Sequence, residues 1–151
     1  MKLTPKKINT FLLFRLPSAW FCGVRLTHIS TEKAKVKVKL RWINQNPFNS
    51  MYFAVQAMAA ELTTGALVMQ SIQNSNRNIS MLVAENKAEF LKKAKGKIHF
   101  YCEDGQTLNE AMKLCLTQEE GTSLWMKSVG KNEQNEVVSI FNFKWTLKVK
   151  D

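Results

Sequence analysis

The sequence predicts an α+β fold in which an antiparallel β-sheet wraps around one long central α-helix. The first observation is an apolar run over residues 51–69, because a helix that is apolar on all sides must be enclosed by other structure. The second is strict alternation of apolar and polar residues over residues 34–42 and 141–149, which is typical of half-buried strands. The third is the order of predicted elements, in which each of three helices is followed by two strands. A sheet curled around the long helix buries the apolar surfaces of both.

The N-terminal region is predicted to contain a helix followed by a hairpin. Thr4 is a favourable N-cap with Pro5 at the first helical position, and Pro17 marks the end of this helix. Residues 20–29 are expected to pair with residues 34–42 around a tight turn.

The strand at residues 34–42 is expected to place one row of side chains in the core and the other in solvent. Its apolar row is Val36, Val38, Leu40 and Trp42. Its basic row is Lys35, Lys37, Lys39 and Arg41. A basic row is usually a solvated face that discourages edge pairing. The alternative is a surface that attracts an anionic partner such as a phosphorylated carrier.

The central helix is predicted from Met51 to Gln73. Residues 43–49 are rich in loop-forming asparagine, and Ser50 follows them as a candidate N-cap. The helix is expected to end before residues 74–76, which read Asn-Ser-Asn.

The C-terminal half is predicted to hold two further strand pairs. Residues 79–90 and 97–102 are expected to form strands around a turn at residues 95–97. Residues 123–129 and 137–149 are expected to form the last hairpin.

A short helix is predicted between these two strand pairs. Thr107 and Glu110 have the spacing of a capping box, and the helix is expected to reach Gln118. Gly121 is the expected C-terminal stop.

The composition fits one globular domain over residues 1–151. Hydrophobic residues make up 45% and charged residues 23%, which are ordinary values for a soluble domain. There are 22 basic and 12 acidic residues, giving a net charge of +10. This excess indicates either an anionic partner or solubility alone, and the sequence leaves both open.

Several classes of site and location are disfavoured by what the sequence contains. Only two histidines are present, and neither a Walker loop nor a G-x-G-x-x-G motif occurs, so we expect no metal and no cofactor. The three cysteines are widely spaced, which suits a reducing compartment and predicts a cytoplasmic protein. Because Gln56 and Glu61 interrupt the apolar run, we expect a buried helix and no membrane span.

Glu61 is the best candidate for a functional side chain. It is the single acid within the apolar run. A carboxylate in such surroundings is unfavourable unless it is paired, hydrogen-bonded or beside a functional cleft. A hydrogen-bonding role at a dimer interface remains the open alternative to a catalytic one.

Two segments of the sequence carry a resemblance to a known superfamily. They read N-P-F-N-S-M-Y from Asn46 and A-A-E-L-T-T-G up to Gly65. Together with the order of elements, they resemble the hotdog-fold thioesterases, in particular the phenylacetate-pathway-like superfamily and its branch known only as a domain of unknown function. The resemblance implies a hotdog fold, hydrolysis of acyl thioesters of coenzyme A or a carrier protein, and a homodimer or dimer of dimers.

The resemblance also assigns candidate site residues. Asn46 stands at the position of the family's loop asparagine, and Glu61 at that of its helix acid, so both are candidate catalytic residues. Tyr52 and Phe53 stand where the family has histidine and glycine, which is a departure from its pattern. Glu61 would act as base or nucleophile, and Asn46 would orient water or the carbonyl.

The chemistry of thioester hydrolysis suggests four candidate substrate-binding residues. The N–H groups at the helix start, near Met51 and Tyr52, would stabilise the oxyanion. Thr64 would hydrogen-bond the substrate or the carboxylate, and Gly65 would permit close approach of a helix or a ligand. Tyr52 has a plainer interpretation as core or pocket wall, and Thr64 as a helix residue that bonds its own backbone.

Two functions stay open on this basis, and a third is weaker. The first is an acyl-thioester hydrolase, and the second is a non-catalytic hotdog module that binds an acyl or other apolar ligand. Nucleic-acid binding through the basic strands is disfavoured, because the aromatic residues fall on expected core faces.

Overall fold

A six-stranded antiparallel sheet packs against one long helix in the computed structural model, which describes residues 3–150. The helices are α1 (Pro5–Arg15), α2 (Pro17–Phe21), α3 (Phe53–Ser75) and α4 (Gly105–Thr117), with a short 3-10 helix at Trp42–Asn44. The strands are β1 (Arg25–Ile29), β2 (Ala34–Lys39), β3 (Ile79–Phe90), β4 (Lys97–Cys102), β5 (Thr122–Lys131) and β6 (Val137–Val149). Their order in the sheet is β1-β2-β4-β5-β6-β3.

The core lies between α3 and the inner face of the sheet, as the alternating pattern predicts. Val36 and Val38 of β2 are fully buried, and so is Leu147 of β6. They pack with the small residues of α3, among them Ala59 and Ala60. The α+β architecture with an enclosed helix is therefore confirmed.

The boundaries of α1 and of the last hairpin also agree with the sequence. The Thr4 hydroxyl accepts a hydrogen bond from the Lys7 N–H, and Pro5 is the first helical residue. Strands β5 and β6 pair in antiparallel register around the turn that follows Lys131. No helix within residues 3–150 is both long and apolar enough to cross a membrane.

The predicted pairing of residues 79–90 with residues 97–102 is wrong. Strand β3 pairs with β6 at one edge of the sheet, while β4 lies between β2 and β5. Alternation sets which face of a strand is buried, but it does not determine which strand lies beside it.

Strand β2 ends before Trp42, so this tryptophan is not a core residue. The Asn44 side chain accepts from the Arg41 N–H and donates to the Lys39 carbonyl oxygen. These bonds replace the strand ladder with a turn, and Trp42 is 86% exposed. The segment before β1 also differs from the prediction, because Trp20 lies in helix α2 and not in a strand.

Three predicted helix caps are not formed. Helix α3 begins at Phe53 with Tyr52 as its N-cap residue, and the Ser50 side chain instead bonds Asn46. Helix α4 begins a half-turn before Thr107, because Gly105 packs directly on the backbone of Glu32 and its N–H donates to the Glu32 carbonyl. It ends at Thr117, well before Gly121.

Candidate functional site

Glu61 lies half-buried on α3, with its carboxylate over the next turn of the helix. A Cβ atom added to Gly65 would lie 3.0 Å from Glu61 Oε1 and 3.3 Å from Trp145 Cζ2. The carboxylate therefore sits beside the Trp145 indole, where a methyl group added at Gly65 would make tight contacts with both. The groups close to Gly65 belong to the chain itself.

The Glu61 carboxylate has no partner within residues 3–150. Neither a hydrogen bond nor an ion pair to its oxygens occurs among the described residues. Burial raises its pKa from 4.5 to about 7, because the charged form loses solvation without gaining a compensating partner. A carboxyl group with this pKa can accept and release a proton near neutral pH.

Thr64 supports the indole beside Glu61 and does not face open space. Its side chain is fully buried. The hydroxyl accepts a hydrogen bond from Trp145 Nε1 at 3.0 Å and donates to the Glu61 carbonyl oxygen at 2.9 Å. Thr64 thus fixes the position of Trp145, and the plainer interpretation from the sequence describes its contacts best.

Asn46 closes the loop that leads into α3. Its Oδ1 accepts from the N–H groups of Phe48 at 2.9 Å and Ser50 at 3.2 Å, and its Nδ2 donates to Ser50 Oγ at 3.0 Å. Asn49 in the same loop has φ 58°, a conformation that asparagine tolerates well. The Asn46 amide is therefore occupied by its own loop.

Among the described residues, the unbonded backbone donors at the start of α3 come directly after Met51 and Tyr52. The Met51 N–H donates to the Ala94 carbonyl at 2.8 Å, and the Tyr52 N–H donates to the Asn44 carbonyl at 2.9 Å. Both groups are therefore committed. Among residues 3–150, the N–H groups of Phe53 and Ala54 have no hydrogen-bond acceptor, and these are the two donors that the helix start presents.

A cavity of about 490 Å³ opens beside the helix start, with Phe53 among its lining residues. Asn46 and Met51 line it, together with an aromatic wall formed by Tyr52, Phe53 and Phe90. The ring centroids of the wall are 5.0 Å and 6.3 Å apart in edge-on contacts. Its apolar lining and two polar donors suit a ligand with an apolar chain and one carbonyl.

Gln56 is a candidate that sequence reasoning missed. It lines the same cavity and is 4% exposed. Its Nε2 donates to the Met51 carbonyl at 3.4 Å, whereas its buried Oε1 has no partner among the described residues. A polar residue inside the apolar run was the available signal, but the sequence alone does not show that it faces a cavity.

The candidate residues form two separate groups within one chain. Asn46, Met51 and Tyr52 surround the helix start, while Glu61, Thr64 and Gly65 lie further along α3. Glu61 lies eight positions after Phe53, which corresponds to roughly 12 Å along a helix. The Glu61 carboxylate also extends toward Gly65 and thus away from the helix start.

Comparison with solved structures places this geometry on a known fold. A Pseudomonas aeruginosa protein of unknown function, described as a probable thioesterase, is 20% identical with a TM-score of 0.83, and 99% of each chain is covered. A protein of unknown function from Chlorobaculum tepidum TLS is 18% identical with a TM-score of 0.84 and the same coverage. A Haemophilus influenzae thioesterase is 10% identical with a TM-score of 0.76, covering 99% of this chain and 93% of its own.

These similarities show that the chain has a hotdog fold. No curated protein matches it in sequence. Residues 5–147 match the family model described as a domain of unknown function (DUF4442). The match spans nearly the whole chain, and the protein therefore belongs to this DUF4442 family, whose function is unknown.

Proposed function

We propose that this protein hydrolyses acyl thioesters of coenzyme A or of a carrier protein. The observation that carries the proposal is the unpaired, half-buried Glu61 carboxyl group, whose pKa is raised to about 7. It lies on the central helix of a fold shared with proteins described as thioesterases.

In the proposed reaction Glu61 acts as the general base. Its carboxylate takes a proton from water as the water oxygen attacks the thioester carbonyl carbon. The N–H groups of Phe53 and Ala54 stabilise the oxyanion that forms. The carbon–sulfur bond then breaks, and the leaving thiolate receives the proton from Glu61. The products are a carboxylic acid and a free thiol.

This proposal requires two copies of the chain. A reacting carbon must lie within about 3 Å of both the attacking water and the oxyanion donors. Glu61 and the helix start of one chain are too far apart for that, so the base of one protomer would face the helix start of its partner. We accordingly propose a homodimer with its acyl cleft at the subunit interface.

Strand β3 provides a surface for such a dimer. It spans Ile79–Phe90 at the edge of the sheet and is hydrogen-bonded there to β6 alone. Leu82 on this strand is 65% exposed, and half-buried Met81 and Val83 lie beside it. A long edge strand with apolar side chains readily pairs with a second strand.

The alternative function is a non-catalytic hotdog module that binds an acyl or other apolar ligand. Two observations favour it. Tyr52 and Phe53 occupy the helix start and form a wall of the cavity, and the Asn46 amide is saturated by its own loop. In this function the cavity would hold the apolar chain, and Glu61 would only contribute to the interface.

A panel of short, long and aromatic acyl-CoA substrates separates the two functions. The wild type is compared with Glu61→Gln and with Glu110→Gln, a control at an exposed acid of α4. The hydrolase proposal predicts thiol release by the wild type and the control, with a loss of about 10²–10⁴ in the Glu61 variant. Binding of acyl-CoA without turnover in the wild type would support the binding module.

The free cysteines bear on where this reaction would occur. Cys22, Cys102 and Cys115 all have free thiols, and burial raises the pKa of Cys102 to about 12. Unpaired thiols are compatible with a reducing compartment. We propose a cytoplasmic location on this ground.

A further inference from the structure

A second cavity, of about 290 Å³, is lined almost entirely by cations. The residues that line it are Gly23, Arg25, Lys37, Lys39, Arg41 and Lys97. No acidic residue is among them. The volume is below that of most ligand pockets, so it suits a compact charged group better than a whole nucleotide.

Strand register brings these cations together. Arg25 of β1 lies opposite Lys37 of β2, and Lys39 of β2 lies opposite Lys97 of β4. Like charges directly opposite each other on paired strands are destabilising. The fold therefore holds repelling groups side by side at one end of three adjacent strands.

The Arg25 side chain is held in a fixed position by the chain itself. Its guanidinium lies 3.4 Å above the centre of the Trp20 ring. Its Nη1 donates to the carbonyl oxygens of Trp20 at 2.8 Å and Val24 at 2.7 Å. The other guanidinium N–H groups have no acceptor among the described residues and remain able to donate to a ligand.

Arg41 is placed next to this group by a glycine. Its Nη2 donates to the Phe21 carbonyl oxygen at 3.3 Å. Gly23 has φ +85°, and a Cβ at this position would lie 2.4 Å from Arg41 Nη2. Only glycine permits both the backbone conformation and the close approach of the guanidinium.

No acid of the described chain forms an ion pair with a side chain of the cluster, and the nearby Glu133 carboxylate accepts only from the Lys97 backbone N–H, at 3.4 Å. The ion pairs found within residues 3–150 join Lys92 to Glu136 and Lys144 to Glu85, at other parts of the sheet. Burial and the nearby Arg41 charge lower the pKa of Arg25, which reports the same unfavourable crowding. An anion bound in the cavity would relieve it.

We propose that this cationic cavity binds a diphosphate group. Arginine guanidinium groups match phosphate oxygens through paired donors, and the three lysines add positive charge around them. Two sources share this chemistry: a free nucleoside diphosphate and the diphosphate of coenzyme A. The second source rests on the proposed thioester function, whereas the first does not.

The test is calorimetric titration with inorganic pyrophosphate at low ionic strength, since salt screens exposed charges. The double variant Lys39→Gln/Lys97→Gln removes two facing cations. The matched control is Lys6→Gln/Lys113→Gln, which removes the same charge at two exposed sites outside the cavity. We expect the first variant to bind pyrophosphate about tenfold more weakly and the control to bind as the wild type does.

Thermal unfolding without ligand distinguishes a binding role from a structural one. Removal of two facing like charges should leave the melting temperature unchanged or raise it. Absence of pyrophosphate binding by the wild type would overturn the proposal. Equal weakening in both double variants would overturn it too, because binding would then follow the net charge of the surface.

Competition with pyrophosphate separates the two sources, because displacement at a lower concentration by ADP than by coenzyme A indicates a free nucleoside diphosphate, and the reverse order indicates coenzyme A. Displacement by ADP and by coenzyme A, with none by adenosine, is the result expected for a diphosphate site. Displacement by adenosine would contradict a phosphate-directed site. If the wild type hydrolyses no acyl thioester, the proposed function fails while the pyrophosphate result stays intact, so the two proposals can fail independently.

Discussion

Replacement of Glu61 by glutamine tests two effects of pH on the wild type. As the pH rises through 7, activity should increase and stability should decrease. Burial raises the pKa of this carboxyl from 4.5 to about 7, so the folded protein binds the proton more tightly than the unfolded chain does. The stability associated with that proton is fully present below pH 4.5 and is lost as the pH rises through 7. The difference corresponds to roughly 3 kcal/mol in the free energy of unfolding.

Glu61→Gln removes this titration while preserving the size of the side chain. Near pH 4.5 the variant and the wild type should unfold at similar temperatures. At pH 8 the variant should be the more stable, by up to roughly 6–12 °C in melting temperature for a chain of this length. The kcat/KM of the wild type for an acyl thioester should rise with pH around an apparent pKa near 7.

Thermal unfolding followed by circular dichroism, together with thiol release measured over the same pH range, tests both effects. Glu110→Gln, at an exposed site, should change neither curve. A Glu61 variant less stable than the wild type at pH 8 would refute the reasoning, because it would mean that the carboxylate makes favourable contacts in the fold.

Three further changes test the surroundings of the site. Gly65→Ala should shift the neighbouring carboxylate and lower thioester turnover at least tenfold by rough estimate, with thermal unfolding nearly unchanged because alanine favours helix. Thr64→Val should destabilise the fold by about 1–3 kcal/mol, since Trp145 Nε1 loses its acceptor; Thr64→Ser retains the hydroxyl and should be milder, as thermal unfolding would show. Leu82→Lys should weaken the proposed dimer in light scattering, whereas Leu114→Lys, on exposed α4, should not.

The sequence predicted those parts of the fold that depend on local patterns. The Thr4–Pro5 cap and the alternation of β2 and β6 are local signals, and the structure contains all of them. The position of β3 beside β6 depends on contacts between distant segments. The alternation of apolar and polar residues along one strand does not specify which strand lies beside it in the sheet.

Only part of the candidate site could be predicted from the sequence, for a similar reason. Glu61 stood out because a lone acid in an apolar helix is conspicuous, and its unpaired carboxylate agrees with that signal. The sequence indicates the helix start but not which of its N–H groups are unbonded, because those of Met51 and Tyr52 donate to Ala94 and Asn44 from other segments. The hydrogen-bond partners of a loop are long-range contacts, which the sequence does not display.

The separation of base and donors also determines how the active site should be tested. Phe53→Pro removes one oxyanion donor at a helix position where proline is tolerated, and loss of such a donor lowers kcat by about 10²–10³. Phe53→Ala is the matched control, because it removes the ring and retains the N–H group.

The most direct measurement is to mix Glu61→Gln with Phe53→Pro, each nearly inactive alone, and to assay thioester hydrolysis after the subunits exchange. If each site combines Glu61 of one protomer with the helix start of its partner, half of the dimers are mixed and one of their two sites is intact. The mixture should then recover about a quarter of the wild-type activity. Activity no higher than that of the separate variants, with exchange confirmed, would contradict a site shared between subunits.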